Sequence, residues 1–360
     1  MKIIQLIQKP QERGAELFAS LLSEELVKKG HEVILVSIFQ GNALLPFSGK
    51  QIHLRRSLRN RLWDIKGWKE FADLIKREKP DLIQANAADT LKFAVFSKLL
   101  FGWKVPIVFR NASVVSGYIS NPGIRLFNQF LLNRVQGIAS VCRTSQSDMN
   151  RIFNLKIPVQ KVIPIGIIIG IQKPRISKPR QKELVHIGGF TFEKNHFHLL
   201  DIVEELLQAD AEFHLKLIGD GPLFTQVKNE VLKRSLSEKV DLTGAIKDPF
   251  SVISSNSILL LPSKIEGLPS VILEAMAHQI PVIAYGVGGI PEILKTGETG
   301  WCISPGDKLG FIQAIQEVSN LDSIAKGQIL DNAFAMVRDR FTLEKVTQQF
   351  EEFYQTILNS

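Results

Sequence analysis

The sequence predicts an α/β protein made of two tandem units, each built on a parallel sheet. Three observations support this. Short apolar runs alternate with stretches of helical periodicity, a pattern typical of parallel α/β sheets. The chain has 360 residues, which suits two medium domains better than one. Residues 170–182 are rich in Lys, Arg and Pro and lack apolar periodicity, so we expect a linker there.

The first unit is expected to span residues 1–169. Leucines at helical spacing predict a helix over residues 11–29 that ends at Gly30, and a second helix is expected over residues 63–76. Apolar segments predict six strands, at residues 2–7, 31–39, 81–84, 106–109, 137–142 and 162–165.

The second unit is expected to span residues 183–340, followed by a terminal helical segment, residues 341–360. Its predicted strands lie at residues 184–187, 214–218, 240–242, 258–261 and 281–285. Two such units in tandem imply a cleft between them, which is a common place for ligands.

Composition limits the classes of function. The net charge of +8 and the pI of about 9.3 favour an anionic partner: a nucleotide, a phospholipid surface or a nucleic acid. Two cysteines far apart in sequence argue against a disulfide scaffold and for a reducing cytosol. The apolar start, residues 1–7, is too short for a signal peptide, and no apolar run approaches the roughly 20 residues of a membrane span. We therefore expect a cytoplasmic protein, with no metal or other cofactor required.

Residues 263–294 carry the most informative pattern. A buried strand ends at Pro262, and a loop with Glu266 and Gly267 precedes a helix that is expected to open near Pro269, with Ser270 as its N-cap. Free backbone N–H groups at a helix start attract phosphates.

Glu274 falls in the second turn of this predicted helix, eight positions after Glu266. Two such carboxylates would repel a shared phosphate, but they can accept hydrogen bonds from hydroxyls on either side of it. That arrangement suits a nucleotide diphosphate sugar. On spacing alone, a plain βαβ unit with Glu266 in solvent and Glu274 on a helix surface has equal weight.

The segments EGLPSVILEAMA, PVIA and GGIPEIL resemble the E-x7-E signature of glycosyltransferase family 4. The resemblance covers most of the chain and is strongest from about Glu183 onward. It implies the GT-B fold, with two Rossmann-like domains that face each other across a cleft and a final helix that crosses back to the first domain. It also implies retaining transfer of a sugar from a nucleotide diphosphate sugar to a glycan or lipid-linked acceptor, in polysaccharide or cell-envelope glycan biosynthesis.

The resemblance also implies roles for residues in the second unit. Glu274 would hold the ribose hydroxyls and Glu266 the sugar. Lys194 would bind the leaving diphosphate, after a turn in which Gly189 stands where the family usually has Arg. A solvated lysine at a helix start is the alternative for Lys194. Backbone contacts to the donor are implied for Gly188, Gly189, Gly244, Gly267, Leu268, Pro269, Ser270 and Val271.

In the first unit, the resemblance implies a backbone contact to the diphosphate at Gly14, although Arg13 replaces one family glycine. A simple helix start, with Glu16 favourable in its first turn, has equal weight. Asn86 stands where the family commonly has a His that faces the donor sugar; a structural role at a strand end is the alternative. Arg110 and Asn111 are candidates on the acceptor side.

The run from residue 50 to 79 is basic and contains Trp63 and Trp68. Basic charge with tryptophans suits an anionic membrane surface. An ordinary solvated helix with core tryptophans is at least as good an interpretation. No recognition motif for nucleic acid accompanies the charge, so we expect no nucleic-acid partner.

Other functions remain to be weighed against transfer. Gly189 and Asn86 replace catalytic-type residues, so a nucleotide-sugar-binding or scaffold subunit with weakened turnover is the alternative. The E-x7-E segment favours transfer over epimerisation. A nicotinamide dehydrogenase is disfavoured because the first strand is followed by QKPQERGAE, which lacks G-x-G-x-x-G.

Overall fold

The computed structural model describes residues 1–119, 121–157, 159–170, 182–254 and 256–360. It divides the chain into two units. Unit 1 comprises Met1–Gly166 and Leu343–Ser360, and unit 2 comprises Ile167–Thr342. Apart from its end residues, the linker expected at residues 170–182 lies outside the described residues.

Unit 1 contains a seven-stranded parallel sheet. The strands are β1 (Lys2–Ile7), β2 (Glu32–Phe39), β3 (Lys50–Arg56), β4 (Leu82–Ala85), β5 (Ile107–Asn111), β6 (Gly137–Ser140) and β7 (Val159–Val162). Their order across the sheet is β3-β2-β1-β4-β5-β6-β7. The helices between them are α1 (Gly14–Lys28), α2 (Ile65–Glu78), α3 (Ala88–Phe101), α4 (Pro122–Leu132) and α5 (Arg143–Ile152).

Unit 2 contains a six-stranded parallel sheet. Its strands are β8 (Lys182–Ile187), β9 (Phe213–Ile218), β10 (Val240–Gly244), β11 (Ile258–Leu261), β12 (Val282–Tyr285) and β13 (Trp301–Ile303), in the order β10-β9-β8-β11-β12-β13. Its helices are α6 (His196–Ala209), α7 (Phe224–Lys233), α8 (Ser270–Ala277), α9 (Lys308–Asn320) and α10 (Ser323–Arg340).

The last helix, α11 (Leu343–Leu358), belongs to unit 1 and packs on α1. Its apolar residues recur at helical spacing, and the ring centroids of Phe350 and Phe18 are 5.9 Å apart. A side chain at Gly137 would come within 2.4 Å of Ile357, so glycine there lets the helix approach the sheet. Burial of each such aromatic ring is worth about 1.5–3 kcal/mol.

Both sheets predicted from the sequence are therefore present, with some local differences. β3 and β13 were not predicted. β7 spans Val159–Val162 rather than residues 162–165, and the buried Ile163 and Ile165 follow the strand instead of forming it. Within the described ranges, no helix combines the length and the hydropathy that crossing a bilayer requires.

Each sheet reverses its strand order at one point. In unit 1 the reversal lies between β1 and β4, and in unit 2 it lies between β8 and β11. In open α/β sheets, ligands bind outside the carboxyl ends of the strands at such a point. The loops that follow these four strands are therefore the first places to look for a site.

Candidate active site

In unit 2, the loops after β8 and β11 bring two predicted site residues together. The two strands are neighbours, so their following loops emerge side by side. Lys194 Nζ lies 2.7 Å from Glu266 Oε1, although the residues are 72 positions apart in sequence. Glu266 is buried and Lys194 is partly exposed. A cation and a carboxylate therefore meet at the point where the sheet reverses its strand order.

The loop that carries Glu266 is supported by glycines that follow β12. Gly288 has a φ of +58°, and a side chain there would lie 2.0 Å from the Glu266 carbonyl oxygen. The Gly289 N–H donates a hydrogen bond of 2.7 Å to the Gly267 carbonyl. Neither glycine was among the predicted site residues, although both lie in or beside the quoted GGIPEIL segment. Only glycine fits at position 288 without moving the loop.

The two glycines after β8 differ in what surrounds them. A side chain at Gly188 would meet Lys194 Cε at 3.3 Å and His186 Nε2 at 3.3 Å, so this glycine makes room for the lysine. A side chain at Gly189 would come no closer than 3.7 Å to its nearest neighbour, the Asp220 carbonyl oxygen. Packing therefore does not require glycine at position 189.

α8 begins beside the Glu266 loop, and its N-terminus has no side-chain cap. The sequence predicted Ser270 as the N-cap, which is wrong: Pro269 is the N-cap, and Ser270 is the first helical residue. The Ser270 side chain instead hydrogen-bonds to Glu274, one turn further on. Leu268 and Pro269 are buried, which fixes the entry into the helix. The first turn therefore presents Ser270 and Val271 without an acidic residue among them.

Glu274 is half-buried in the second turn of α8. Burial raises the pKa of its carboxyl group, and the hydrogen bond from Ser270 partly offsets that shift. Within the described part of the chain, no basic group contributes to the shift. A half-buried carboxylate with a hydroxyl neighbour and no cation is suited to accept further hydrogen bonds from hydroxyl groups.

Gly244 ends β10, two strands away from β8. Its φ is +75°, and a side chain there would meet nothing within 4 Å. The Gly219 N–H donates a hydrogen bond of 2.9 Å to the Gly244 carbonyl. Among the described residues, no hydrogen bond joins Gly244 to Lys194 or Glu266, so its donor contact stays a prediction.

In unit 1, Asn86 follows β4 and takes part in a closed ring of hydrogen bonds. Its side-chain amide donates to Gln5 Oε1 at 3.0 Å, and its Oδ1 accepts from Gln84 Nε2 at 2.9 Å. The Tyr354 hydroxyl closes the ring: it accepts from Gln5 at 3.2 Å and donates to Gln84 at 2.6 Å. Asn86 is only 3% exposed. These contacts favour the structural role that the sequence left open for Asn86.

The other candidates in unit 1 have different surroundings. Gly14 is the first residue of α1, and the space beside it is open, since a side chain there would meet nothing within 4 Å. Asn111 is buried, and its side-chain amide donates to Ser140 Oγ at 3.4 Å and to the Ser145 carbonyl at 3.1 Å. Arg110 is also buried, beside Asn111 at the carboxyl end of β5.

Family models account for most of the chain. Residues 13–169 match the model described as Glycosyltransferase Family 4, and residues 170–332 match the model described as Glycosyl transferases group 1. The chain belongs to glycosyltransferase family 4. It is 23% identical to N-acetyl-alpha-D-glucosaminyl L-malate synthase of Bacillus anthracis, over 97% of this chain and 95% of that protein. It is 24% identical to the capsular polysaccharide biosynthesis glycosyltransferase CapM of Staphylococcus aureus, over 66% of this chain and 69% of that protein.

Solved structures confirm the predicted GT-B fold of this family 4 glycosyltransferase. The Anabaena protein HepE, in complex with UDP and glucose, aligns with a TM-score of 0.84 and 18% identity over 99% of this chain and 100% of that one. Sucrose-phosphate synthase from Thermosynechococcus elongatus aligns with a TM-score of 0.84 and 17% identity over 99% of each chain.

Two histidines of this family 4 glycosyltransferase lie beside the Lys194 loop. His196 is 1% exposed and packs against His186, with ring centroids 4.7 Å apart. Burial lowers the pKa of His196 to about 4 and that of His186 well below its usual value. Both rings are therefore neutral at neutral pH and add no positive charge beside Lys194.

The family 4 glycosyltransferase also has an exposed apolar surface on unit 1, which we define as Leu62, Trp63, Leu126, Phe127 and Phe130. These side chains are 38–77% exposed. Phe96 joins the three aromatic members: its ring centroid lies 6.5 Å from Trp63, 6.1 Å from Phe127 and 6.4 Å from Phe130. The other tryptophan of the basic run does not contribute, because Trp68 is 1% exposed and stacks on Phe96.

Proposed function

We propose that the chain is a retaining glycosyltransferase that takes its sugar from a nucleotide diphosphate sugar. The observation that carries the proposal is the Lys194–Glu266 ion pair, beside the uncapped start of α8 and at the reversal point of the unit 2 sheet. HepE, a structural neighbour, has been solved with UDP-glucose, which supports this donor class. The acceptor is a glycan or lipid-linked molecule, as the resemblance to CapM in capsular polysaccharide biosynthesis suggests.

Each group would hold a different part of the donor. The N–H groups of Ser270 and Val271 would bind the diphosphate together with Lys194, because a helix start and a cation both favour negative charge. Glu266, with the backbone of residues 267–269, would accept hydrogen bonds from the sugar hydroxyls. Glu274 would accept hydrogen bonds from the ribose hydroxyls. The two carboxylates thus bind hydroxyls and leave the phosphates to positively polarised groups.

The reaction that we propose needs no side chain as a base. The acceptor hydroxyl attacks the anomeric carbon on the face from which the diphosphate leaves. The bond between that carbon and the phosphate oxygen breaks, and the hydroxyl proton passes to a departing phosphate oxygen. Lys194 and the α8 amides stabilise the charge that develops on the diphosphate. A structural role for Asn86 is compatible with this scheme.

Replacing Glu274 with alanine tests the donor site. We expect the Kd for UDP to rise about tenfold or more, because hydrogen bonds to a carboxylate contribute about 1.5–3 kcal/mol. Isothermal titration calorimetry with UDP measures this. Glu298→Ala is the matched control, since Glu298 is also in unit 2 but its side chain is 66% exposed. Undiminished UDP affinity in Glu274→Ala would remove the ribose role.

A binding or scaffold subunit with weakened turnover is the second candidate. It is favoured by Gly189, which supplies no charge to the leaving group, and by the internal hydrogen bonds of Asn86. A panel of nucleotide sugars incubated with the protein separates the two candidates: transfer or hydrolysis at a measurable rate supports the enzyme, and tight binding without turnover supports the subunit.

We also propose that the apolar surface of unit 1 rests on the inner face of the cell membrane. Residues 57–69 and 121–134, which contain this surface, carry six basic residues and one acidic residue, Asp64, which is buried and paired with Arg56. Exposed rings flanked by basic side chains suit anionic headgroups, and each basic residue near such a surface contributes about 1 kcal/mol.

Flotation with phosphatidylglycerol vesicles tests the membrane contact. We expect Leu126→Glu to lower the vesicle-bound fraction about tenfold, because it places a carboxylate in an apolar and anionic interface. Ile324→Glu is the control, since Ile324 is 86% exposed in unit 2. Equal binding by the two variants, or binding to neutral vesicles alone, would contradict the proposal.

A further inference from the structure

Arg110 is an unpaired cation inside unit 1. It is the penultimate residue of β5 and is 2% exposed. Its Nε and Nη1 atoms have no hydrogen-bond partner among the described residues. Burial lowers the pKa of the guanidinium to about 10, so it stays charged at neutral pH. A buried charge without a counterion is costly, and a group of this kind is a candidate for a functional site.

The neighbours of Arg110 do not neutralise it. The guanidinium carbon lies 4.2 Å from the centre of the Phe18 ring, which offers a cation–π contact. Glu16 is the acid close enough to act on its charge, but burial raises the pKa of Glu16, and that carboxyl is hydrogen-bonded by Gln11. No ion pair between Glu16 and Arg110 is present in the described part of the chain.

Other polar groups near Arg110 are already occupied. The Tyr354 hydroxyl, which also acts on the charge of Arg110, accepts from Gln5 and donates to Gln84. The four-residue ring that includes Asn86 is closed, so none of its members can turn toward the guanidinium without losing a hydrogen bond. The Tyr354 hydroxyl is therefore held by other partners and does not pair with the guanidinium.

The backbone beside Arg110 also favours an anion. Phe18 and Glu16 belong to the first two turns of α1, so the guanidinium lies alongside the start of that helix. The N-cap, Arg13, makes no side-chain cap, and the space beside Gly14 is open. A 15-residue helix has a full macrodipole, so its uncapped start adds to the positive potential of Arg110.

We propose that Arg110 binds an oxyanion, a carboxylate or a phosphoryl group, on the acceptor. This inference rests on the proposed transferase function and names the class of its acceptor. We assign the oxyanion to the acceptor because Lys194, the side chain that neutralises the donor diphosphate in the proposed function, belongs to unit 2, whereas Arg110 belongs to unit 1. The donor contact that the resemblance implies at Gly14 is also in unit 1, so the UDP measurement below decides between donor and acceptor. Arg110 thus selects anionic acceptors over neutral ones.

Small anions test the site without a known acceptor. Malonate and inorganic phosphate serve as probes, titrated into the full chain by calorimetry. We expect Arg110→Met and Arg110→Gln to weaken malonate binding about tenfold or more, since both variants remove the charge-assisted hydrogen bonds that a guanidinium donates to a carboxylate. Undiminished malonate affinity in either variant overturns the proposal. Lys194→Met serves as the comparison. If malonate binding is lost in Lys194→Met and kept in the Arg110 variants, the anion binds in unit 2, and the proposal is overturned as well.

Two further measurements are made on the Arg110 variants. The Tm distinguishes a binding role from a structural role, and the UDP affinity distinguishes an acceptor site from a donor site. We expect the Tm of Arg110→Met to stay equal or rise, because a buried unpaired charge is replaced by an apolar side chain; a fall in Tm would assign Arg110 a structural role. We expect the UDP affinity of both Arg110 variants to stay unchanged; a matching loss of UDP affinity would assign the oxyanion to the donor. If the wild-type chain binds malonate but not UDP, the proposed donor fails while the Arg110 site stands.

Discussion

Lys194→Met is expected to lower kcat/KM for sugar transfer by about two to three orders of magnitude, the usual loss when one preorganised group that stabilises transition-state charge is removed. The physical reason is that Lys194 is the cation that the structure holds at the reversal point of the unit 2 sheet, 2.7 Å from Glu266. Methionine keeps a slightly shorter unbranched side chain and removes the charge together with its hydrogen-bond donors. Initial rates with a radiolabelled nucleotide sugar measure the effect.

Lys264→Met is the matched control for this variant. Lys264 lies in the same loop as Glu266, but its side chain is exposed, and its backbone N–H bonds to the Glu193 carbonyl whatever side chain is present. We expect its rate to stay within about twofold of wild type. If Lys194→Met and Lys264→Met were equally active, Lys194 would not stabilise the leaving diphosphate.

We also expect the Lys194–Glu266 ion pair to affect thermal stability. Removing Lys194 leaves the buried Glu266 carboxylate without its cation, so the Tm of Lys194→Met is expected to fall. The double variant with Glu266→Gln is expected to recover most of that loss, because a neutral amide needs no counterion. Thermal unfolding of the two single variants and the double variant measures the interaction free energy between Lys194 and Glu266.

The parallel sheets could be predicted because their inner strands are buried on both faces. Such strands read as continuous apolar runs, and β1 and β11 were predicted at their observed bounds. β3 was missed because it is an edge strand with the sequence KQIHLRR, whose polar residues resemble a loop. β7 was misplaced because Ile163 and Ile165 are buried after the strand rather than in it.

The candidate site could be predicted only in part. The signature identified Glu266 and Glu274, and the turn after β8 identified Lys194. The ion pair between Lys194 and Glu266 forms only because β8 lies next to β11, and local sequence does not encode that strand order. The hydrogen bonds of Asn86 likewise depend on Tyr354, which comes from α11 at the other end of the chain. Long-range contacts of this kind follow from strand order, and strand order needs the whole fold.

Gly189→Arg is expected to raise kcat by about ten- to a hundredfold, because it returns a cation to the position where the family usually has one. The structure has room for it: a side chain at Gly189 would start 3.7 Å from its nearest neighbour, and the residue does not adopt the left-handed backbone that disfavours larger residues. A guanidinium there would lie in the same turn as Lys194 and add to the charge that stabilises the departing diphosphate.

Gly189→Met separates charge from bulk in this experiment. It places a shorter, uncharged, unbranched side chain in the same space, and we expect no increase in kcat, because methionine offers the leaving phosphate neither charge nor a strong donor. Matched Tm values for the two variants would show that both fold. If Gly189→Arg folds and turns over no faster than Gly189→Met, charge at this turn does not limit the reaction, and the Lys194 ammonium with the α8 amides is sufficient. A gain confined to arginine would mean that this chain works with an incomplete set of groups for the leaving diphosphate.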